Sequence, residues 1–159
     1  MDIRIGFGND IHRLEESREL IIGGVIIPFE KGCLGHSDGD ALLHAITDAI
    51  LGALSLRDIG FMFPDTSSEY KDIDSSILLK KVMDICHEKG YHINNLDSTV
   101  ILQRPKLSPH IPAIRQRIAE ITATDIDRIS VKAKTNEGLG YIGNSEAVAT
   151  YCVVTLMKL

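Results

Sequence analysis

The chain predicts an α+β fold, one β-sheet with its helices gathered on one face. Three observations carry this. Apolar runs of strand length alternate with apolar stripes of helical spacing, and in chain order they give ββα, αβ and αββ. The 159 residues suffice for one well-packed core and not comfortably for two. A content of 44% hydrophobic and 25% charged residues is that of an ordinary globular protein. Aromatic residues make up only 5% and Trp is absent, so Ile, Leu, Val and Ala must fill the core. With no repeat, low-complexity tract or linker, residues 1–159 are expected to form a single domain.

The first strand spans residues 2–8, with Ile3 and Ile5 either side of Arg4, and runs into a Gly-rich turn. A polar connection, Glu15 to Glu19, leads to Leu20–Ile22 and Val25–Ile27, strands broken by Gly23-Gly24 and ended by Pro28. Asp38 or Ser37 is placed to cap a helix reaching about Leu54. Leu42, Ile46, Ala49, Ile50 and Ala53 form its apolar stripe, while Asp40, His44 and Asp48 fall at i, i+4 and i+8 on a polar one. A turn-rich loop covers Arg57 to Tyr70. Asp74 or Ser75 opens a second helix, with Ile77, Leu78, Val82 and Ile85 at helical spacing and Gly90 as its stop. Ile93 to Gln103 is a strand halted by Pro105. Ser108, with Pro109 and Pro112, starts a third helix whose Ile111, Ile114, Ile118 and Ile121 point inward. Ile129 to Ala133 is a strand, Gly138, Gly140 and Gly143 mark a flexible turn, and Ala147 to Leu156 is a buried closing strand.

Several function classes are excluded at this level. A net charge of −5 argues against a polyanion-binding surface and so against nucleic acid as partner. No apolar run approaches the roughly 18 residues that span a bilayer, and the N-terminus lacks a signal-peptide core. Cys33, Cys86 and Cys152 are odd in number and lack C-x-x-C spacing, which suits buried thiols in a reducing, cytoplasmic compartment.

The chemistry concentrates in Gly8-Asn9-Asp10-Ile11-His12 and His36-Ser37-Asp38-Gly39-Asp40 with His44. Asp10 and His12 are two apart behind an apolar run, so on extended backbone both leave the same face. With His44 from a helix they make three ligands and leave a fourth position open, the arrangement of a catalytic zinc. Asp48, one turn beyond His44, is placed to orient its imidazole from behind. The competing account makes His44 a half-buried histidine satisfied by Asp40 or Asp48, but it leaves Asp10 and His12 unexplained. Gly6-Phe7-Gly8 is not a dinucleotide loop, because Asp-Ile-His continues extended and Glu15-Glu16 would repel phosphate.

Weaker signals surround this set. His36-Ser37 precedes a helix N-terminus, where free N–H groups favour an anion, although a plain cap explains Ser37 equally. Lys106 after Pro105, with Lys132 and Lys134, adds positive charge at strand ends. Thr135 and Glu137 alternate and suit a phosphate and a hard cation such as Mg²⁺. The long loop with Asp58-Ile59-Gly60 and Phe63-Pro64-Asp65-Thr66 offers carboxylates to sugar or polyol hydroxyls, or is a surface connection.

With these residues in place the chain resembles the 2-C-methyl-D-erythritol 2,4-cyclodiphosphate synthase family of non-mevalonate isoprenoid biosynthesis. The likeness runs from Ile3 nearly to the C-terminus, through G-x-G-x-D-x-H, I-I-G-G-V, H-S-D-G-D-A-x-x-H-A-x-x-D-A, D-I-G-x-x-F-P-D-T, P-K-x-x-P-H-I and K-A-K-T-N-E-x-L-G. The resemblance implies a homotrimer with active sites between neighbouring subunits, and a phosphorus–oxygen lyase that closes a ring and releases CMP. It implies Zn²⁺ on Asp10, His12 and His44, and Mg²⁺ or Mn²⁺ on Glu137. His36, Ser37 and Thr135 would hold phosphate oxygens, with His36 and Thr135 as the catalytic pair. Asp58, Gly60, Phe63 and Asp65 would contact ribose and methylerythritol hydroxyls. Leu102, Pro105, Lys106, Ser108, Ala133 and Lys134 would form the cytidine side, with Tyr141 also at the substrate. One departure stands out: Gly143-Asn144-Ser145-Glu146-Ala147 has Asn144 where many members carry an Arg, and an amide cannot offer a guanidinium to an anion. Two other readings share the ligand set, a zinc phosphohydrolase with an open-chain product and a trimeric ligand-binding module without turnover.

Overall fold

The computed structural model describes residues 2–159. Its core sheet has five strands in the order β4-β1-β7-β5-β6, where β1 is Ile3–Glu16, β4 Lys31–Cys33, β5 Tyr91–Ile101, β6 Ile129–Lys134 and β7 Ala147–Lys158. It is mixed: β5 and β6 run parallel and the other pairs antiparallel. β2 (Leu20–Ile22) and β3 (Val25–Ile27) pair only with each other, as a separate hairpin. The helices are α1 (Ala41–Ala53), α2 (Ile59–Met62), α3 (Ser75–Glu88), α4 (Ile111–Thr122) and α5 (Gly140–Gly143). α1, α3 and α4 cover one sheet face, as the α+β expectation required, and the buried Ile, Leu, Val and Ala side chains lie between. No helix among the described residues is long and apolar enough to cross a membrane.

Where the structure departs from expectation, tertiary contact is the reason. β1 continues past Gly8 to Glu16 because β7 pairs with it as far as Arg13 and β4 takes Leu14 to Glu16. The polar residues Glu15 and Glu16 are therefore strand, not connection. The first and third residues of the loop helix α2 are held by side chains: Asp48 accepts from Ile59 N at 2.8 Å, and Asp58 from Phe61 N at 2.8 Å. The supposed flexible turn contains the single-turn α5.

The cap of α1 is Asp40, neither Ser37 nor Asp38. Its carboxylate is fully buried and accepts from Leu43 N, Gly23 N and Gly24 N at 3.0, 2.9 and 2.6 Å. One side chain thus closes the helix and pins the β2–β3 turn to it. Ile77, at helical spacing with Leu78, Val82 and Ile85, is 47% exposed. All three cysteines are free and buried.

Candidate active site

The site is built on β1. Gly6, Gly8, Asp10 and His12 alternate along the strand, so all four leave the face that meets α1. A Cβ on Gly6 would stand 1.8 Å from the Ala49 carbonyl oxygen, and one on Gly8 2.0 Å from that of Ala45. Only glycine lets the helix backbone lie this close to the strand. That approach carries His44, the neighbour of Ala45, over Asp10 and His12.

Three donor atoms meet there. Asp10 Oδ2 lies 2.8 Å from His12 Nε2 and 3.0 Å from His44 Nδ1, and the two nitrogens are 3.2 Å apart. Metal bonds to such donors are about 2 Å long, so one ion can touch all three. The opposite nitrogens are already engaged: His12 Nδ1 donates to the Leu34 carbonyl at 2.7 Å, and His44 Nε2 faces the hydroxyls of Ser75 at 2.8 Å and Ser37 at 3.0 Å. The remaining nitrogen of each ring faces Asp10, where its hydrogen pairs with the carboxylate and its lone pair would serve a zinc ion in that hydrogen's place. Burial would push the Asp10 carboxyl up, but hydrogen bonds and charge from His12 and His44 outweigh it and hold the group at about 2. Burial also opposes the charged form of His12, yet the Asp10 carboxylate and the Leu34 carbonyl raise its pKa overall.

The expected role of Asp48 needs correcting. Its carboxylate accepts from Ile59 N, and His44 is oriented by Ser75 and Ser37 instead. Asp40 likewise does not satisfy His44, being committed to backbone N–H groups.

Around the three donors lies a pocket lined by Asp10, His12, His36, Ser37, His44 and Asp65, with Gly60 and an apolar wall of Ile59, Phe63, Tyr70 and Leu78. Phe63 meets Tyr70 edge to face, ring centres 5.3 Å apart. His36 Nε2 lies 3.2 Å from the Ser67 carbonyl, and Ser37 is nearly buried. A second concavity is lined by Leu102, Pro105, Lys106, Ser108, Ala133, Lys134 and Thr135, together with Gln103, Arg104 and Leu107. The two share no residue. His36 lines the first concavity and Thr135 the second. Asp58, Glu137 and Tyr141 line neither concavity. Glu137 sits at φ 53° in a turn tied down by Gln103, whose Oε1 accepts from Asn136 N and Gly138 N at 3.2 Å each.

Sequence reasoning missed Ser75, Tyr70 and Leu78. Ser75 was available only as a cap, and Leu78 only as one residue of a core stripe; their placement at the site depends on how α3 docks on α1.

The YgbB family model matches residues 3–157. The chain is 57% identical over 156 residues to the 2-C-methyl-D-erythritol 2,4-cyclodiphosphate synthase of Fusobacterium nucleatum, covering 98% of each chain. It is 51% identical to that of Bacteroides fragilis over the full length of both. Among solved structures it is similar to a 2C-methyl-D-erythritol-2,4-cyclodiphosphate synthase in a CDP-bound form, at TM-score 0.90 and 40% identity over 97% of this chain and 100% of that one. It also matches the bifunctional IspDF of Campylobacter jejuni at TM-score 0.95 and 42% identity; there 99% of this chain covers 43% of the longer one. The chain belongs to the YgbB family, in which these relatives carry the name 2-C-methyl-D-erythritol 2,4-cyclodiphosphate synthase.

Proposed function

We propose that the protein converts 4-diphosphocytidyl-2-C-methyl-D-erythritol 2-phosphate to 2-C-methyl-D-erythritol 2,4-cyclodiphosphate and CMP. An oxygen of the 2-phosphate attacks the β-phosphorus of the same molecule, and the bond from that phosphorus to the oxygen bridging it to the α-phosphate breaks. CMP departs with the electron pair. No protein nucleophile is required. The observation that supports this most directly is the convergence of Asp10, His12 and His44 at the floor of a pocket, in a chain whose relatives over its whole length carry the synthase name.

Asp10, His12 and His44 would hold Zn²⁺, and Glu137 would hold Mg²⁺ or Mn²⁺. When bound, these ions supply Lewis acidity and offset the charge of two approaching phosphates. The remaining work belongs to the chain. His36 and Ser37 line the pocket beside the three ligands, where they donate hydrogen bonds to phosphate oxygens; Thr135 does the same from the other concavity. Asp58 and Asp65 accept from hydroxyls of the substrate, with Gly60 and Phe63 alongside. The apolar wall of Ile59, Phe63, Tyr70 and Leu78 keeps water from competing for the phosphorus. Holding the substrate bent makes the attack intramolecular, for which effective molarities reach about 10⁵ M or more.

The cytidine half would sit in the second concavity, between Leu102 to Ser108 and Ala133-Lys134. Because the two concavities share no residue, the complete site is proposed to form between subunits of a homotrimer, the first concavity of one facing the second of its neighbour. The sheet face without helices supports such an assembly: Ile3, Ile5, Phe7, Ile11, Tyr151 and Val153 are all exposed on it. Exposed apolar side chains gathered on one sheet face are what subunit association would cover.

Incubation with the cytidylylated substrate, with and without a chelator, tests the reading. Phosphorus NMR is expected to show the cyclic diphosphate appearing in step with CMP, and chelator is expected to stop both. An open-chain product would turn the reading to hydrolysis, and no turnover to a binding module.

A further inference from the structure

Behind the hydroxyls that face His44 Nε2, the hydrogen bonds continue to a carboxylate outside the site, that of Asp38. Ser75 Oγ lies 2.8 Å from His44 Nε2 and 2.5 Å from Asp38 Oδ1, and Ser75 N donates to Asp38 Oδ2 at 3.0 Å. Ser75 is completely buried. A carboxylate can only accept, so the serine hydroxyl must donate its one proton to Asp38. Its lone pair is then left to accept, and the partner facing it is the Nε2–H of His44. The direction of each bond therefore keeps a hydrogen on His44 Nε2, which the Ser37 hydroxyl also faces at 3.0 Å, and leaves Nδ1, 3.0 Å from Asp10 Oδ2, as the nitrogen an ion would take.

The relay is also anchored mechanically. Asp38 Oδ1 accepts from Asp40 N at 3.1 Å, and Asp38 N donates to the Ile73 carbonyl at 3.1 Å. The turn before α1 and the start of α3 are thus clamped to each other around the serine. Asp74, the adjacent residue, caps α3 separately by accepting from Ser76 N at 2.8 Å and takes no part in the relay.

We propose that Asp38 and Ser75 are a positioning pair that keeps the hydrogen of His44 on Nε2, with Nδ1 turned to the metal position, and so sets zinc affinity from the N-terminus of α3. This rests on the metal reading of Asp10, His12 and His44. Both residues are positioning residues, since neither touches the ion.

The test is competition for zinc between the purified protein and a chromophoric chelator, together with long-range ¹H–¹⁵N NMR of the His44 ring in zinc-free protein. Wild type is expected to show His44 protonated on Nε2. Ser75→Ala and Asp38→Asn are each expected to weaken zinc binding about 10–100-fold and to mix the tautomers. The double variant should lose little more than either single one, because both break one relay. Asp74→Ala, which removes the neighbouring cap, should lower the melting temperature while leaving zinc affinity in place. A His44 ring without hydrogen on Nε2 in wild type overturns the proposal without any variant. So does unchanged affinity in Ser75→Ala, or an equal loss in Asp74→Ala. If wild type takes up no zinc, the metal reading falls as well; if Asp10→Ala abolishes binding and Ser75→Ala does not, only the relay falls.

Discussion

At the residue scale none of the three candidate metal donors holds the scaffold together. Asp10 and His12 stand on a strand paired along its length with β7, and His44 on a helix locked against that strand, so removing one side chain leaves the scaffold intact. Asp10→Ala or His44→Ala is therefore expected to give a folded protein with little bound zinc and negligible CMP release, read by metal analysis and a nucleotide assay. Full turnover in zinc-depleted variant protein contradicts the assignment. Glu137 stands apart from these donors, in a turn held by Gln103. Glu137→Gln keeps that backbone geometry, because the hydrogen bonds holding the turn come from main-chain N–H groups. It is expected to weaken the dependence on added Mg²⁺ with zinc content unchanged, and an unaltered Mg²⁺ titration counts against Glu137 as the ligand.

At the element scale the approach of α1 to β1 is the decisive contact, and Gly8 and Asp40 govern it from two ends. Gly8→Ala places a methyl carbon against the Ala45 carbonyl, and backbone on both sides cannot yield cheaply. The helix must move outward, taking His44 from Asp10; loss of both stability and zinc is expected, with thermal melting and metal content as the readouts. Asp40→Asn sets an amide N–H₂ against one of three backbone N–H donors, and an unmet buried group costs about 1–3 kcal/mol. The pH dependence has a definite sign. Burial pushes the Asp40 carboxyl up to about 6, above its ordinary 3.8, against the pull of the N–H groups of Leu43 and Gly24. The folded state therefore binds the proton more tightly than the unfolded one, and the stability this contributes is full below about 4 and is lost as pH rises through about 6. Subtracting the Asp40→Asn profile from that of wild type should leave a difference that declines across this window; a flat difference rules the carboxyl out as its source.

Part of this scale was legible from sequence. The two-residue spacing of Asp10 and His12 placed both ligands on one strand face, and the polar position of His44 on α1 made it their partner. The wrong assignment of the α1 cap shows where local pattern stops. Asp40 was expected on a polar stripe with His44, but the glycine turn between β2 and β3 folds over it and supplies two of its three donors. No local spacing reports a partner sixteen residues away. Ser75 escaped for the same reason, and α2 because it is a single turn held by Asp48 from another helix.

At the scale of the whole molecule, two facts pull in different directions and together make a test. The proposed zinc ligands all belong to one chain, whereas the pocket around them and the proposed cytidine pocket share no residue. The sheet face that would join subunits carries Ile5 at 71% and Phe7 at 60% exposure, and each large apolar side chain buried there stabilises assembly by about 1.5–3 kcal/mol. Ile5→Asp is therefore expected to give a smaller species by light scattering that still binds zinc but no longer releases CMP. A monomer with full turnover refutes the shared site. Mixing variants sharpens the point. His44→Ala disables the metal half and Lys106→Ala the cytidine half, each on its own chain. If sites form between neighbours, unfolding and reassembling the two inactive proteins together creates interfaces where an intact metal half meets an intact cytidine half, and activity returns. If each chain carries a whole site, every site in the mixture keeps one defect and activity stays lost.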